Sequence, residues 1–183
     1  MRIERGRNMK ENKKNEPNQK SKCIVLMVVS ILILLLLVNL IIRNQGGIKE
    51  TTKTEYLFNL KNPYIGDNSK DMKLLQSLEV SELGKFTIEL KTNDRPYILR
   101  IYFDEIKVSI EEYERKIMLY SKILLVLIEN ADEVSWIIKD VRNDSITVDS
   151  LEIEYENLKD YNKTRDSFHS FLVNIGYFDS EMQ

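Results

Sequence analysis

Cysteine and histidine are almost absent from this sequence of 183 residues, since each occurs once, as Cys23 and His169. A single cysteine excludes an internal disulfide framework and any cysteine-rich zinc module. A single histidine excludes metal motifs that need two. A basic excess is missing as well: 27 Lys and Arg stand against 29 Asp and Glu, and the formal net charge of -2 argues against a nucleic-acid binder.

Sequence motifs of catalysis are also missing. No serine lies in a Gly-x-Ser-x-Gly context, and no phosphate-binding glycine loop occurs. We therefore expect no catalytic residues, no metal and no cofactor. The sequence favours a binding role over an enzymatic one.

The small net charge hides three unlike segments. Residues 1–22 contain eight basic and three acidic residues, a net charge of +5, and few large apolar side chains. Such a segment cannot bury enough surface to offset its ordering entropy, which predicts a disordered tail. Residues 23–42 carry no charge, and residues 43–183 carry 19 basic and 26 acidic residues, a net charge of -7.

The uncharged segment has the length and composition of a membrane span. Between Ile24 and Ile42, 17 of 19 residues are Ile, Leu, Val or Met. A helix of about 20 residues is roughly 30 Å long, which matches the hydrocarbon core of a bilayer. This predicts a transmembrane helix over residues 23–42. A cleaved signal peptide is the alternative, but its apolar region would be about 7–15 residues long, so an uncleaved signal anchor is preferred.

Basic residues predict the orientation of this helix. Eight precede the apolar segment, whereas only Arg43, Lys49 and Lys53 follow it closely. Lys and Arg concentrate on the cytoplasmic side of a membrane helix. We therefore predict a single-pass protein of the cell membrane, with its N-terminus in the cytoplasm and its C-terminal domain extracytoplasmic.

The remainder of the chain predicts one folded domain. Residues 43–55 contain Gly46-Gly47 and small polar residues, which is typical of a flexible linker. Residues 56–183 then alternate between helical and strand periods. The predicted elements are a helix capped by Asp67 or Asn68, a hairpin over 86–103, a helix over 109–130, a hairpin over 134–155 and a helix capped by Thr164. This order indicates an α+β domain with a mostly antiparallel four-stranded sheet and about three helices on one face.

The second predicted hairpin contains an irregularity. Its turn is predicted at Arg142-Asn143-Asp144, and the apolar phase then shifts by one residue, which predicts a bulge near Asp149-Ser150. This pattern places Glu152, Glu154 and Glu156 on one strand face. A calcium site would need further oxygen ligands from other segments, so a solvated face is the preferred interpretation.

The most distinctive stretch runs over residues 64–69. It could be a recognition loop that offers helix N-terminal amides to an anion or peptide terminus. A turn followed by a helix cap explains the same residues and is favoured. Asn130-Ala131-Asp132 could line a site, although such residues more often end a helix and start a loop. His169 is interpreted as structural. The candidate binding residues are Tyr64, Gly66, Asp67, Asn68, Ser69 and Asn130.

Three blocks of sequence resemble one bacterial family. They are Lys61-Asn62-Pro63-Tyr64-Ile65-Gly66-Asp67-Asn68-Ser69-Lys70, then Leu90-Lys91-Thr92 with Pro96-Tyr97, and Leu124-Leu125-Val126-Leu127-Ile128-Glu129-Asn130-Ala131-Asp132. Over about residues 60–134 the chain resembles the DUF4825 family, a domain of unknown function. The resemblance implies a membrane-tethered extracytoplasmic domain of Gram-positive bacteria, with related domains on membrane sensor proteins including metallopeptidase-type receptors. It implies no catalytic residues.

Three functions are compatible with these features. The leading hypothesis is that the outer domain binds a protein, peptide or envelope ligand, as a sensor or regulatory accessory. The first alternative is an envelope hydrolase that uses carboxylates, with Asp67 and a sheet glutamate as the pair. The second is a structural subunit of a membrane complex, in which Asn39 bonds within a helix interface.

Overall fold

The computed structural model describes residues 19–180 of the chain. The helices are α1 (Gln19–Asn59), α2 (Asn68–Ser77), α3 (Ile110–Leu127), α4 (Val148–Glu152), α5 (Arg165–Asn174) and α6 (Tyr177–Ser180), with short 3₁₀ segments at Val80–Glu82 and Leu158–Asn162. The strands are β1 (Phe86–Lys91), β2 (Ile98–Phe103), β3 (Glu133–Ile138) and β4 (Arg142–Thr147). The domain is therefore α+β.

The chain divides into two compact units, Met1–Gly46 and Gly47–Gln183. Most of the predicted tail, residues 1–18, lies outside the described residues. Among the residues that the structure describes, no helix combines the length and apolar character needed to cross a membrane. The predicted span at residues 23–42 stays a prediction.

The segment predicted as a flexible linker, residues 43–55, has a helical backbone as part of α1. The end of α1 belongs to the second unit, because Leu57 is fully buried in its core. Thr54 is also buried, and its Oγ1 lies 2.9 Å from Nδ1 of His169 on α5. This contact gives His169 the structural role that was predicted for it.

The four predicted strands form one sheet in the order β1-β2-β3-β4. Both predicted hairpins are present, since β1 pairs with β2 and β3 with β4 in antiparallel fashion. The central pair, β2 with β3, is parallel, so the sheet is mixed, with two of its three strand pairs antiparallel as expected. The reason is α3, which connects the two strands and returns the chain to the end where β2 began.

One face of the sheet carries the core. On β2 and β3 the side chains of Leu99, Ile101, Val134 and Trp136 are fully buried, and they alternate with less buried neighbours. Helix α3 lies against this layer, and its end together with the C-cap Ile128 is completely buried from Ile123 onward. The end of this helix is therefore surrounded by other parts of the domain on several sides.

The second hairpin differs from its prediction in one respect. The turn lies at residues 139–141, where Asp140 adopts φ 55°, so Arg142–Thr147 is strand rather than turn. The chain then forms α4 instead of a bulged strand, and the predicted strand face of Glu152, Glu154 and Glu156 was wrong. Thr147 and Ser150 start α4 with a capping box, in which each side chain accepts from the other residue's backbone N–H at 3.1 Å.

Candidate functional site

The loop between α1 and α2 is tied to the end of α3. The backbone N–H of Asn62 donates to Leu127 O, and the N–H of Glu129 donates to Asn62 O, both at 2.9 Å. These two bonds form a parallel bridge between Asn62 and Ile128. The bridge brings together the first and third blocks that carry the family resemblance.

Asp71 lies at the centre of this loop. It is a carboxylate in the first turn of α2, and it is fully buried. Asn62 Nδ2 donates to Asp71 Oδ1 at 2.8 Å, and the N–H of Gly66 donates to Oδ2 at 3.3 Å. Burial raises the pKa of the Asp71 carboxyl, and these two hydrogen bonds oppose that shift.

Three further contacts fix the residues around Tyr64. The N–H of Tyr64 donates to Asn62 Oδ1 at 3.3 Å, and the N–H of Ile65 donates to Asn130 Oδ1 at 2.6 Å. Gly66 adopts φ +122°, and a Cβ there would lie 3.5 Å from the side chain of Thr92. The backbone is therefore anchored on both sides of Tyr64, whose side chain is 70% exposed.

The other candidate residues start helix α2. Asp67 is its N-cap and accepts from the N–H of Lys70 at 3.2 Å. Asn68 and Ser69 are exposed at its first positions. This arrangement supports the interpretation of a turn plus a helix cap.

A cleft of about 700 Å³ opens where β2 and β3 begin and β4 ends. It is lined by Arg95, Pro96, Glu129, Asn130, Ala131, Asp132, Glu133, Thr147, Val148, Asp149 and Lys159. Of the candidate residues, Asn130 lines this cleft, whereas Tyr64 and Asp67 are outside its lining. The hydrolase hypothesis paired Asp67 with a glutamate, and the cleft does not join them.

Hydrogen bonds of Asp132 connect the segments that surround the entrance of the cleft. Arg95 Nη1 donates to Asp132 Oδ1 at 3.0 Å, and the N–H of Tyr97 donates to Asp132 Oδ2 at 2.8 Å. Asp132 thereby connects the β1–β2 turn to the start of β3. Glu129 and Asp149 are exposed carboxylates on the rim.

Lys159 forms part of the cleft wall and is partly buried. Its Nζ donates to backbone carbonyl oxygens at the end of α3, including Ile128 O and Ala131 O, each at 2.9 Å. Burial lowers the pKa of the Lys159 ammonium to about 8, while the charges of Asp132, Glu129 and Glu152 act in the opposite direction. No local pattern in the sequence identifies Lys159, because its partners lie about thirty positions earlier.

Among the residues that the structure describes, no group of three or more His, Cys, Asp or Glu could hold a metal ion. The glutamates once placed on a strand are dispersed instead. Glu154, for example, contacts Lys122 at 3.3 Å.

Comparison with known proteins identifies the family of this chain but assigns it no activity. No curated protein and no solved structure matches the chain. The family model described as "Domain of unknown function (DUF4825)" matches residues 57–161, which is more than half of the chain. The match extends beyond the predicted region of about 60–134 and includes the loop of Asn62, the whole sheet and Lys159. This chain belongs to the DUF4825 family.

Proposed function

We propose that this protein is a single-pass membrane protein whose extracytoplasmic domain binds a protein, peptide or envelope ligand at the cleft lined by Asn130 and Asp149, as a sensor or regulatory accessory. The observation that carries the binding site is the position of this cleft. All three sequence blocks of the family resemblance meet beside it, through the Asn62–Ile128 bridge and the hydrogen bond from the N–H of Tyr97 to Asp132 Oδ2.

The anchor is supported by the apolar part of α1. Its described apolar side chains between Ile24 and Leu40 are 44% to 69% exposed, on every side of the helix. Exposed apolar surface costs roughly 25 cal/mol per Å² in water and is favourable in a bilayer. The basic residues before this segment support an orientation with the N-terminus in the cytoplasm.

Protease protection tests the anchor and its orientation together. Protease added outside intact cells should digest the domain and spare an N-terminal epitope placed before residue 23. Cells opened beforehand are the control, in which both parts should be digested. Protection of the domain in intact cells would refute the proposed orientation.

The shape and contacts of the cleft suit a ligand that is held by several polar groups. Its volume lies within the range of roughly 300–1,000 Å³ that is usual for ligand sites. Tyr64 precedes Ile65, whose N–H donates to the lining residue Asn130, and its exposed aromatic side chain stands on a backbone held by hydrogen bonds at both residues. Rigid aromatic side chains bind at a low entropic cost, so Tyr64 is suited to extend the contact surface.

Charge reversal on the cleft rim tests the binding site. The full chain in detergent would be used to capture ligands from envelope fractions. The double variant Glu129→Lys with Asp149→Lys should weaken capture by roughly tenfold or more, because charges at a binding surface discriminate between partners. The matched control is Asp104→Lys with Glu105→Lys, which makes the same charge change at the exposed turn after β2. Equal capture by both double variants would place the ligand elsewhere.

A further inference from the structure

The backbone carbonyls at the end of helix α3 accept hydrogen bonds mainly from groups in distant parts of the chain. The last carbonyls of a helix have no partner inside it. Here Leu127 O accepts from the N–H of Asn62 and Val126 O accepts from Asn162 Nδ2, both at 2.9 Å. The carbonyls of Leu125 and Ile128 accept from Lys159 Nζ. Every carbonyl from Leu125 to Ile128 is therefore bonded.

The Lys159 ammonium has as many acceptors as it has N–H groups. Its three acceptors are the carbonyl oxygens of Leu125, Ile128 and Ala131. These carbonyl oxygens converge on one point of the cleft wall. The negative charges of Asp132, Glu129 and Glu152 favour a cation at this point, and the positive charge of Arg95 opposes it to a smaller extent. Carbonyl oxygens at a helix C-terminus also carry the negative end of the helix dipole.

We propose that the carbonyls of Leu125, Ile128 and Ala131 form a binding site for an ammonium group, in which the side chain of Lys159 is the resident cation. This site takes a small primary alkylammonium ion when the lysine side chain is removed. The inference goes beyond the proposed function and does not depend on it, because it is tested through amine reactivity and thermal stability rather than ligand capture.

Amine labelling of the wild-type full chain tests the occupied site without any substitution. A lysine of lowered pKa that was free in the cleft would be a good nucleophile and would react early. A lysine whose three N–H groups are all bonded should react slowly. Labelling with a small acylating reagent at pH 7, which is below the pKa of Lys159 and keeps the three N–H groups of its ammonium, should be followed by mass spectrometry. It should modify Lys159 at least tenfold more slowly than Lys163, which has a 67% exposed side chain nearby. Labelling of Lys159 ahead of Lys163 would overturn the proposal.

Chemical rescue tests the vacated site. The variant Lys159→Ala should melt at a lower temperature than the wild type, and methylammonium chloride should restore a large part of the difference. Tetramethylammonium chloride is the matched probe, since it has the same charge and no N–H donor, and it should not rescue. Neither salt should shift the wild type or Lys163→Ala by a comparable amount. Equal effects of the two salts on Lys159→Ala, or a Lys159→Ala variant as stable as the wild type, would refute the site. If Lys159→Ala does not fold, the labelling experiment decides.

Discussion

Substitution of Asn62 by alanine should lower the free energy of unfolding by about 3 kcal/mol at neutral pH. The substitution removes the amide that donates to the buried carboxylate of Asp71 at 2.8 Å. It also removes the side-chain oxygen that accepts from the N–H of Tyr64. A buried charged group that loses a hydrogen bond carries a larger penalty than a neutral one.

The loss should depend on pH, because Asp71 titrates. Burial already raises the pKa of Asp71 above its ordinary value of 3.8. Removal of the Asn62 hydrogen bond takes away a contact that opposes this shift, so the pKa rises further in the folded variant. A carboxyl whose pKa is higher in the folded than in the unfolded state stabilises the protein at pH values below its unfolded pKa. This contribution is lost as the pH rises through its folded pKa. The destabilisation by Asn62→Ala should therefore be largest at neutral pH and shrink as the pH falls towards 4.

Urea unfolding of the full chain at a series of pH values measures this effect. Asn68→Ala is the matched control, since Asn68 is an exposed asparagine at the start of α2 and its substitution should change stability by less than about 0.5 kcal/mol. A loss for Asn62→Ala that was the same at pH 4 and pH 7 would show that Asp71 is not the group responsible.

The local signals in the sequence were sufficient for most of the helices and strands. Thr164 and Asp67 cap the helices that they were predicted to cap, because a capping side chain contacts a backbone amide only three residues later. The two alternating runs before α3 pair in the register that a hairpin requires. These features depend on near neighbours, which a single sequence contains.

The features that failed depend on distant residues or on two competing local patterns. Leu151 and Tyr155 were assigned to a strand, although their spacing also fits one helical turn. Leu151 lies in α4, which starts with the reciprocal hydrogen bonds of Thr147 and Ser150, and Tyr155 follows that helix, with its N–H donating to Leu151 O at 2.8 Å. The parallel pairing of β2 with β3 follows from how α3 packs across the sheet, which periodicity does not specify. The burial of Asp71 follows from the bridge between Asn62 and Ile128, which lie 66 positions apart.

The residues of the candidate site also divide into those that local sequence predicts and those that depend on distant parts of the chain. Asn130 was selected from its sequence context and does line the cleft, but its partner, the N–H of Ile65, comes from another part of the chain. Asp132 was named beside Asn130 as a residue that could line a site, and it also lines the cleft. Arg95 and Lys159 were not selected, because they belong to distant parts of the chain and acquire their roles only where those parts meet. Prediction of such a site requires the arrangement of the sheet first.

Substitution of Trp136 by alanine should have the largest effect of all, a loss of about 3–5 kcal/mol from the free energy of unfolding. Trp136 is fully buried in β3, its ring is stacked on Phe103 at 6.3 Å, and its Nε1 donates to Ser121 Oγ on α3 at 2.7 Å. A domain of this size is stable by only about 5–15 kcal/mol, so this loss is a large fraction of the total.

Two further variants separate the ring from its hydrogen bond. Trp136→Phe keeps most of the apolar contact and leaves the hydroxyl of Ser121 without this donor, so it should cost about 1–3 kcal/mol. Val141→Ala, at a residue that is 73% exposed, should stay within about 0.5 kcal/mol of the wild type. Unfolding should be followed by circular dichroism, because Trp136 is the only tryptophan and its fluorescence is lost in both variants. A loss below about 1 kcal/mol for Trp136→Ala would mean that β3 does not occupy the centre of the sheet, since a fully buried ring of this size cannot be removed there without leaving a cavity.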